Sequence, residues 1–319
     1  MEIVCIYKNI QIYIFYLRAS ETTKMMKLFA KINKAIPSSL KLCFSTTHLG
    51  KYLRSLDLIY QATDNDLFSD KDSSDFVLHL SQIHPQLPHF SAYCGFDPTS
   101  SGLHLGNFIS ILTLVRLSFF GIKPIFLIGG ATGLIGDPSG KSVERKLLTK
   151  EEVKINFDGI ENTIKTVMEN LNDYLQSEKN DLDLGKKGFD GKYSIENNAR
   201  FYEKLSMIEF IRDFGKHFKM QVLLNKETVA SRLNNEDGIS YAEFSYQLLQ
   251  AYDFYQLFLE KNCILQLGGS DQWGNITNGC DLVKKILKKE VFGLTTPLLV
   301  TSSGKKFGKS EVIKKYIFF

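Results

Sequence analysis

The chain has 319 residues, 44% of them apolar, with 23 Gly. At about 150 residues per domain that is one large α/β unit or two smaller domains. This ordinary usage excludes a collagenous, disordered or disulfide-stapled chain. Lys and Arg number 39 against 35 Asp and Glu, a net charge of +4, which by itself predicts only a weak pull toward nucleic acid or anionic lipid.

The charge is unevenly placed. Residues 22–56 contain no acidic side chain but carry Lys24, Lys27, Lys31, Lys34, Lys41, Lys51 and Arg54. A basic, Ser/Thr-rich, acid-free stretch has the composition of an organellar transit peptide. We therefore expect 1–56 to be a leader to the mitochondrial matrix, with the cytoplasm as the alternative. The apolar stretch at 3–17 is broken by Lys8, Asn9 and Gln11 and is too short to span a bilayer; no membrane partner is expected. The five cysteines form no CxxC pair, so the sequence predicts neither a structural zinc site nor a disulfide framework, and no bound metal.

Residues 63–75 are polar and acidic and read as a loop. A short apolar run at 92–96 ends at Asp97-Pro98, as a strand entering a turn does. Ser100 and Ser101 are N-cap candidates for an apolar helix over 103–119, which Gly121 ends. Residues 124–128 are nearly all apolar, as expected of a parallel strand buried on both faces. Strand, helix and strand in so short a span form a βαβ unit. A glycine-dense stretch follows at 129–140. Beyond it the sequence predicts a helix over 149–175, an irregular segment over 177–198, helices over 203–233, an aromatic-rich helix over 241–260, and strands at 264–267 and 298–301. The fold class is α/β: a parallel sheet flanked by helices, with a helical insertion at 147–240.

Five segments carry chemistry. YCGFDPTSSGLHLGN (93–107) sets His104 at a strand-to-helix junction, where free N–H groups and the helix dipole favour phosphate; alone, it also fits an ordinary junction. GGATGLIGDPSGK (129–141) has the order of neither a P-loop nor a G-x-G-x-x-G fingerprint. What it offers is backbone beside a fixed carboxylate, Asp137. Tyr246, Gln250 and Asp253 are spaced four and three apart, hence on one helical face. All three are poor core residues unless hydrogen-bonded, so together they suggest a pocket for a small polar molecule. LGGSDQWGN (267–275) is a second strand end feeding a helix, with Asp271 and Gln272 at its mouth. KFGKS (306–310) is a Gly-containing loop whose Lys306 and Lys309 could clamp a polyphosphate.

Taken together, in this order, the five segments resemble class I tyrosyl-tRNA synthetases of the bacterial and mitochondrial type, over roughly 90–310. The resemblance implies a Rossmann-like catalytic domain over 57–311 that activates tyrosine with ATP and Mg²⁺ and transfers it to tRNA(Tyr), with 147–240 as the dimer region of a homodimer. It implies that Tyr93 and Asp253 bind the substrate phenol, that Asp137, Tyr246 and Gln250 hold its ammonium, and that Gln272, with Gln266 nearby, faces its carboxylate. Asp271 and Cys94 would touch the ribose, with Asp97 beside the ATP and Gly95, Gly106 and Gly269 leaving room for nucleotide. Thr99, His104, Lys306, Lys309 and Ser310 would stabilise the leaving pyrophosphate. The family's second signature His is Asn107 here; Asn can still donate to phosphate. After Glu311 the sequence departs from the family, whose members continue into anticodon-binding and RNA-binding domains. Residues 312–319 read as an atypical tail of a truncated chain. The alternative expectation is therefore a fragment that dimerises, or forms adenylate only, without charging tRNA.

Overall fold

The computed structural model describes residues 3–7, 10–14, 49–65, 68, 76–140, 145, 147–177, 191–233 and 238–298. Strands β1 (Ile3–Tyr7) and β2 (Ile10–Ile14) form an antiparallel ribbon. The main body follows with helix α1 (Leu49–Ser55), strand β3 (Gln61–Ala62), helix α2 (Phe76–Ile83), strand β4 (Phe90–Phe96), helix α3 (Leu105–Ser118) and strand β5 (Ile122–Ile128). Helix α4 (Lys150–Ser177) leads to strand β6 (Ser194–Asn197) and a series of short helices between 199 and 233. Helix α5 (Tyr241–Lys261), strand β7 (Cys263–Gly269), helix α6 (Trp273–Leu287) and strand β8 (Phe292–Thr296) complete it.

Six strands make one sheet in the order β3-β8-β7-β4-β5-β6, parallel except for β3. From β4 the chain builds outward through β5 and β6, then returns to build β7 and β8 on the other side. The order therefore reverses between β4 and β7, and in open α/β sheets ligands sit outside the carboxyl ends of the strands at that point. The central strands are apolar on both faces because helices cover both. Ile125, Phe126 and Ile128 of β5 are fully buried, as are Ile264 and Leu265 of β7 and Leu114 and Leu117 of α3; each such side chain contributes roughly 1.5–3 kcal/mol. Pro124 sits inside β5 without penalty, because β6 pairs with β5 only over 125–128 and asks no N–H of residue 124.

Several expectations need correction. Helix α3 begins at Leu105, and its N-cap is His104 rather than Ser100 or Ser101. The irregular segment expected over 177–198 contains β6. All four residues of this polar edge strand are partly buried, so it shows no alternation to detect. The 147–240 span is thus not purely helical. Among the described residues the last strand is Phe292–Thr296; the strand expected at 298–301 lies, but for residue 298, outside them. Residues 49–56, expected in the leader, pack in the core through Leu49, Leu53 and Leu56. No described helix is long and apolar enough to cross a membrane.

Candidate active site

A cavity of about 280 Å³ opens at the carboxyl ends of β4 and β7. Every predicted site residue within the described chain lines it. From β4 and the turn after it come Tyr93, Cys94, Gly95, Asp97 and Thr99; from the start of α3, His104, Gly106 and Asn107. Asp137 lies within the glycine-dense stretch, and α5 supplies Tyr246, Gln250 and Asp253. The end of β7 and the turn into α6 add Gln266, Gly269, Asp271 and Gln272. Lys306, Lys309 and Ser310 lie outside the described residues.

The most buried part is a carboxylate network. Asp253 is 2% exposed. Its Oδ2 accepts from Asn198 Nδ2 at 2.8 Å and its Oδ1 from the Tyr202 hydroxyl at 2.7 Å. Burial pushes the Asp253 carboxyl up to about 8; these two hydrogen bonds oppose the shift, and the Asp97 charge adds to it. Tyr93 is as deeply buried, and its hydroxyl has no hydrogen-bond partner, nor does Gln266 Oε1. Burial, with the Asp253 charge next in weight, holds the Tyr93 phenol well above its ordinary range.

A second carboxylate stands beside the first. Asp97 Oδ1 accepts from Thr132 Oγ1 and Oδ2 from the Tyr246 hydroxyl, both at 2.8 Å. Desolvation, then the nearby Asp137 charge, raise its carboxyl to about 6. Asn198 Nδ2 also donates to Thr132 Oγ1 at 3.0 Å, so the Asp97 and Asp253 networks share members. Gly129 is required here: a side chain at that position would run into the Asp97 carboxylate and the Thr132 hydroxyl.

Asp137 anchors a third group. Its Oδ2 accepts from Gln272 Nε2 at 2.6 Å and its Oδ1 from the Ser139 N–H at 2.9 Å. Asn275 Nδ2 reaches Gln250 Oε1 at 3.0 Å and Ser139 Oγ at 3.2 Å. Arg145 Nε donates to the Asp137 carbonyl at 2.6 Å, and its backbone N–H points to Glu243 Oε1 at 3.4 Å. Glu243 is itself buried in an ion pair with Arg232 at 2.9 Å.

The opposite end of the cavity is more open and depends on backbone. His104 Nδ1 accepts from the Asn107 N–H at 3.2 Å, and Asn107 Oδ1 accepts from the His104 N–H at 3.1 Å. This reciprocal capping box fixes the helix start. It uses the Asn107 oxygen and leaves its amide N–H groups as the donors. A side chain at Gly95 would meet no atom within 4 Å.

Asn198, Tyr202, Thr132, Ser139, Arg145 and Asn275 were not predicted as site residues. Asn275 and Ser139 stand inside segments that were singled out. Asn198 and Tyr202 follow a polar strand that gave no signal. Among the described residues no cluster of three His, Cys, Asp or Glu side chains is placed to hold a metal.

Residues 86–319 match the family model described as tRNA synthetases class I (W and Y). Over 268 residues the chain is 42% identical to tyrosine--tRNA ligase 1 of Photorhabdus laumondii subsp. laumondii, covering 84% of this chain and 56% of that protein. It thus spans little more than half the length of that relative. Two solved structures are similar, both of C-terminally truncated mitochondrial tyrosyl-tRNA synthetases. That from Aspergillus nidulans has a TM-score of 0.68 at 27% identity, covering 90% of this chain and 78% of the other. That from Coccidioides posadasii has a TM-score of 0.65 at 28% identity, covering 91% and 75%.

Proposed function

Because the chain belongs to the class I tRNA synthetases of the W and Y group, we propose that its cavity joins L-tyrosine to ATP and passes the tyrosyl group to tRNA(Tyr). One observation carries the choice of tyrosine: the buried, unpartnered hydroxyl of Tyr93 lines the same cavity as the buried carboxyl of Asp253. A substrate phenol accepts from the first and donates to the second. Phenylalanine leaves both buried groups unpaired, the costly outcome for a polar group out of water.

In this reading the substrate ammonium sits among Asp137, Tyr246 and Gln250, and its carboxylate faces Gln272, with Gln266 nearby. Tyr246 already donates its proton to Asp97, so its oxygen is free to accept from the ammonium. ATP, entering with Mg²⁺ as part of the substrate, lies over Gly95, Gly106 and Gly269, with its ribose at Asp271 and Cys94 and with Asp97 close by. A tyrosine carboxylate oxygen attacks the α-phosphorus in line. The new O–P bond forms as the bond to the β-phosphate oxygen breaks, and pyrophosphate leaves with the electron pair. A tRNA hydroxyl then attacks the tyrosyl carbonyl and AMP departs. No protein nucleophile is needed: catalysis is positioning and charge stabilisation. Thr99, His104 and Asn107 hold the departing charge, together with Lys306, Lys309 and Ser310.

The setting proposed is a homodimer in the mitochondrial matrix. Exposed Met207, Ile208, Ile211, Met220 and Val222 concentrate apolar surface on one segment, which supports self-association. The acid-free basic stretch and the mitochondrial relatives support the location. ATP–pyrophosphate exchange that requires tyrosine is the expected result for the purified chain, followed by charging of tRNA(Tyr). Exchange that ignores tyrosine would overturn the reading.

A further inference from the structure

We propose that Tyr202 is a positioning residue that sets the cavity's preference for a phenol over an unsubstituted ring, acting through Asp253. The inference rests on the tyrosine reading above. Tyr202 is not among the residues lining the cavity, whereas Asp253 is. The Tyr202 hydroxyl reaches Asp253 Oδ1 at 2.7 Å and the Leu249 carbonyl at 3.0 Å. A hydroxyl has one proton, and the shorter contact is to the Asp253 carboxyl oxygen, which therefore takes it. Asn198 holds the other oxygen at 2.8 Å.

The two donors come from one short stretch, four residues apart, and grip one oxygen each. That fixes the rotation of the carboxylate plane, which a single donor would leave free. A carboxylate has about four lone-pair directions. With two taken from the protein side, the remainder serve the cavity, where a substrate hydroxyl finds an acceptor already in place. The Tyr202 ring is itself held, with its centroid 5.5 Å from that of Tyr252, which in turn packs 4.6 Å from Phe214. Removing the hydroxyl alone therefore leaves the ring packing intact and releases the carboxylate.

Tyr202→Phe tests this. The readouts are equilibrium binding of L-tyrosine and L-phenylalanine, and the KM and kcat of pyrophosphate exchange with each. We expect affinity and kcat/KM for tyrosine to fall about tenfold, the size of one lost hydrogen bond. The values for phenylalanine should stay within about twofold, so the preference ratio falls about tenfold. Tyr252→Phe is the control: it removes a neighbouring hydroxyl bonded to Gln256 rather than to Asp253, and should leave the ratio unchanged. A merely structural role for Tyr202 would lower both substrates together, and that result, or an unchanged ratio, overturns the inference alone. If the unaltered protein shows no preference for tyrosine, the tyrosine reading fails and this inference fails with it.

Discussion

At one end of the cavity, Tyr93, Asp253, Asn198 and Gln266 are almost without solvent contact, and two of their polar atoms have no partner. At the other end Thr99, His104, Gly106 and Asp271 are half-buried, and the geometry there comes from a helix cap and bare glycines. The difference follows what each end must do in the proposed reaction. Rejecting a near-isostere needs a dry site in which an unmatched polar group is expensive. Releasing a highly charged product needs donors that solvent can reach. The buried end is therefore where folding free energy and ligand recognition are coupled, and the open end is where they separate. Substitutions at the two ends should differ in kind as well as size.

The largest effect is expected where the buried end is anchored. Helix α5 carries Tyr246, Gln250 and Asp253, and its first turn holds Glu243, which pairs with Arg232; both side chains are 2% exposed. Glu243→Ala leaves a buried guanidinium without its carboxylate, a change that typically costs 3–5 kcal/mol. It also frees the Arg145 backbone beside Asp137. Urea denaturation should show the loss as a shift in midpoint. A change under about 1 kcal/mol would mean that the pair is solvated and that the buried end is less dry than described.

The pH dependence of stability separates the ends next. The Asp253 carboxyl lies at about 8 in the folded protein, against about 3.9 in an unfolded chain. The folded state therefore binds the proton more tightly, and stability falls as pH rises from about 4 through 8. Asp97, raised to about 6, acts in the same direction but only below that pH. The loss between pH 6 and 8, about 2 kcal/mol at 1.4 kcal/mol per unit, therefore belongs to Asp253. Asp253→Asn keeps the shape, accepting from Asn198 and donating to Tyr202, and cannot titrate. Its thermal midpoint should be flat over pH 6 to 8, where the unaltered protein declines.

Much of this contrast is legible in the sequence, and unevenly so. His104 and Asn107, Asp137, the Tyr246–Gln250–Asp253 face and Asp271–Gln272 each sit in a local pattern of a few residues whose spacing implies a shared surface. The sheet is legible for the same reason: β4, β5 and β7 are apolar runs closed by glycine or proline turns. What stays hidden is partnership across distance. Asp97 meets Thr132 and Tyr246, 35 and 149 residues away. Asp253 meets Asn198 and Tyr202, which follow a polar strand, Ser-Ile-Glu-Asn. No periodicity marks a residue whose task is to hold another. The cap of α3 was misplaced for a related reason. Two serines are the stronger propensity signal, but the reciprocal bonds between His104 and Asn107 place the N-cap three or four residues later, at His104.

The smallest effect on stability is expected at the open end, and it is the most direct test of the separation. Gly95 lies in β4, is exposed, and faces no atom within 4 Å of where a Cβ would stand. Gly95→Ala therefore introduces no clash. It removes backbone freedom from the unfolded chain, so stability should hold or rise by less than about 1 kcal/mol. The added methyl projects into the space that the proposed reaction gives to the nucleotide, and van der Waals contact at a site this close to the backbone tolerates little intrusion. The KM for ATP should rise several-fold in pyrophosphate exchange, while tyrosine affinity, which the proposed reading assigns to Tyr93 and Asp253 at the far end, should not move. If tyrosine affinity falls in step with ATP, the two ends communicate through β4, on which Tyr93 and Gly95 are separated by one residue. The cavity would then behave as one site rather than as a rigid, dry recognition pocket joined to an open reaction face.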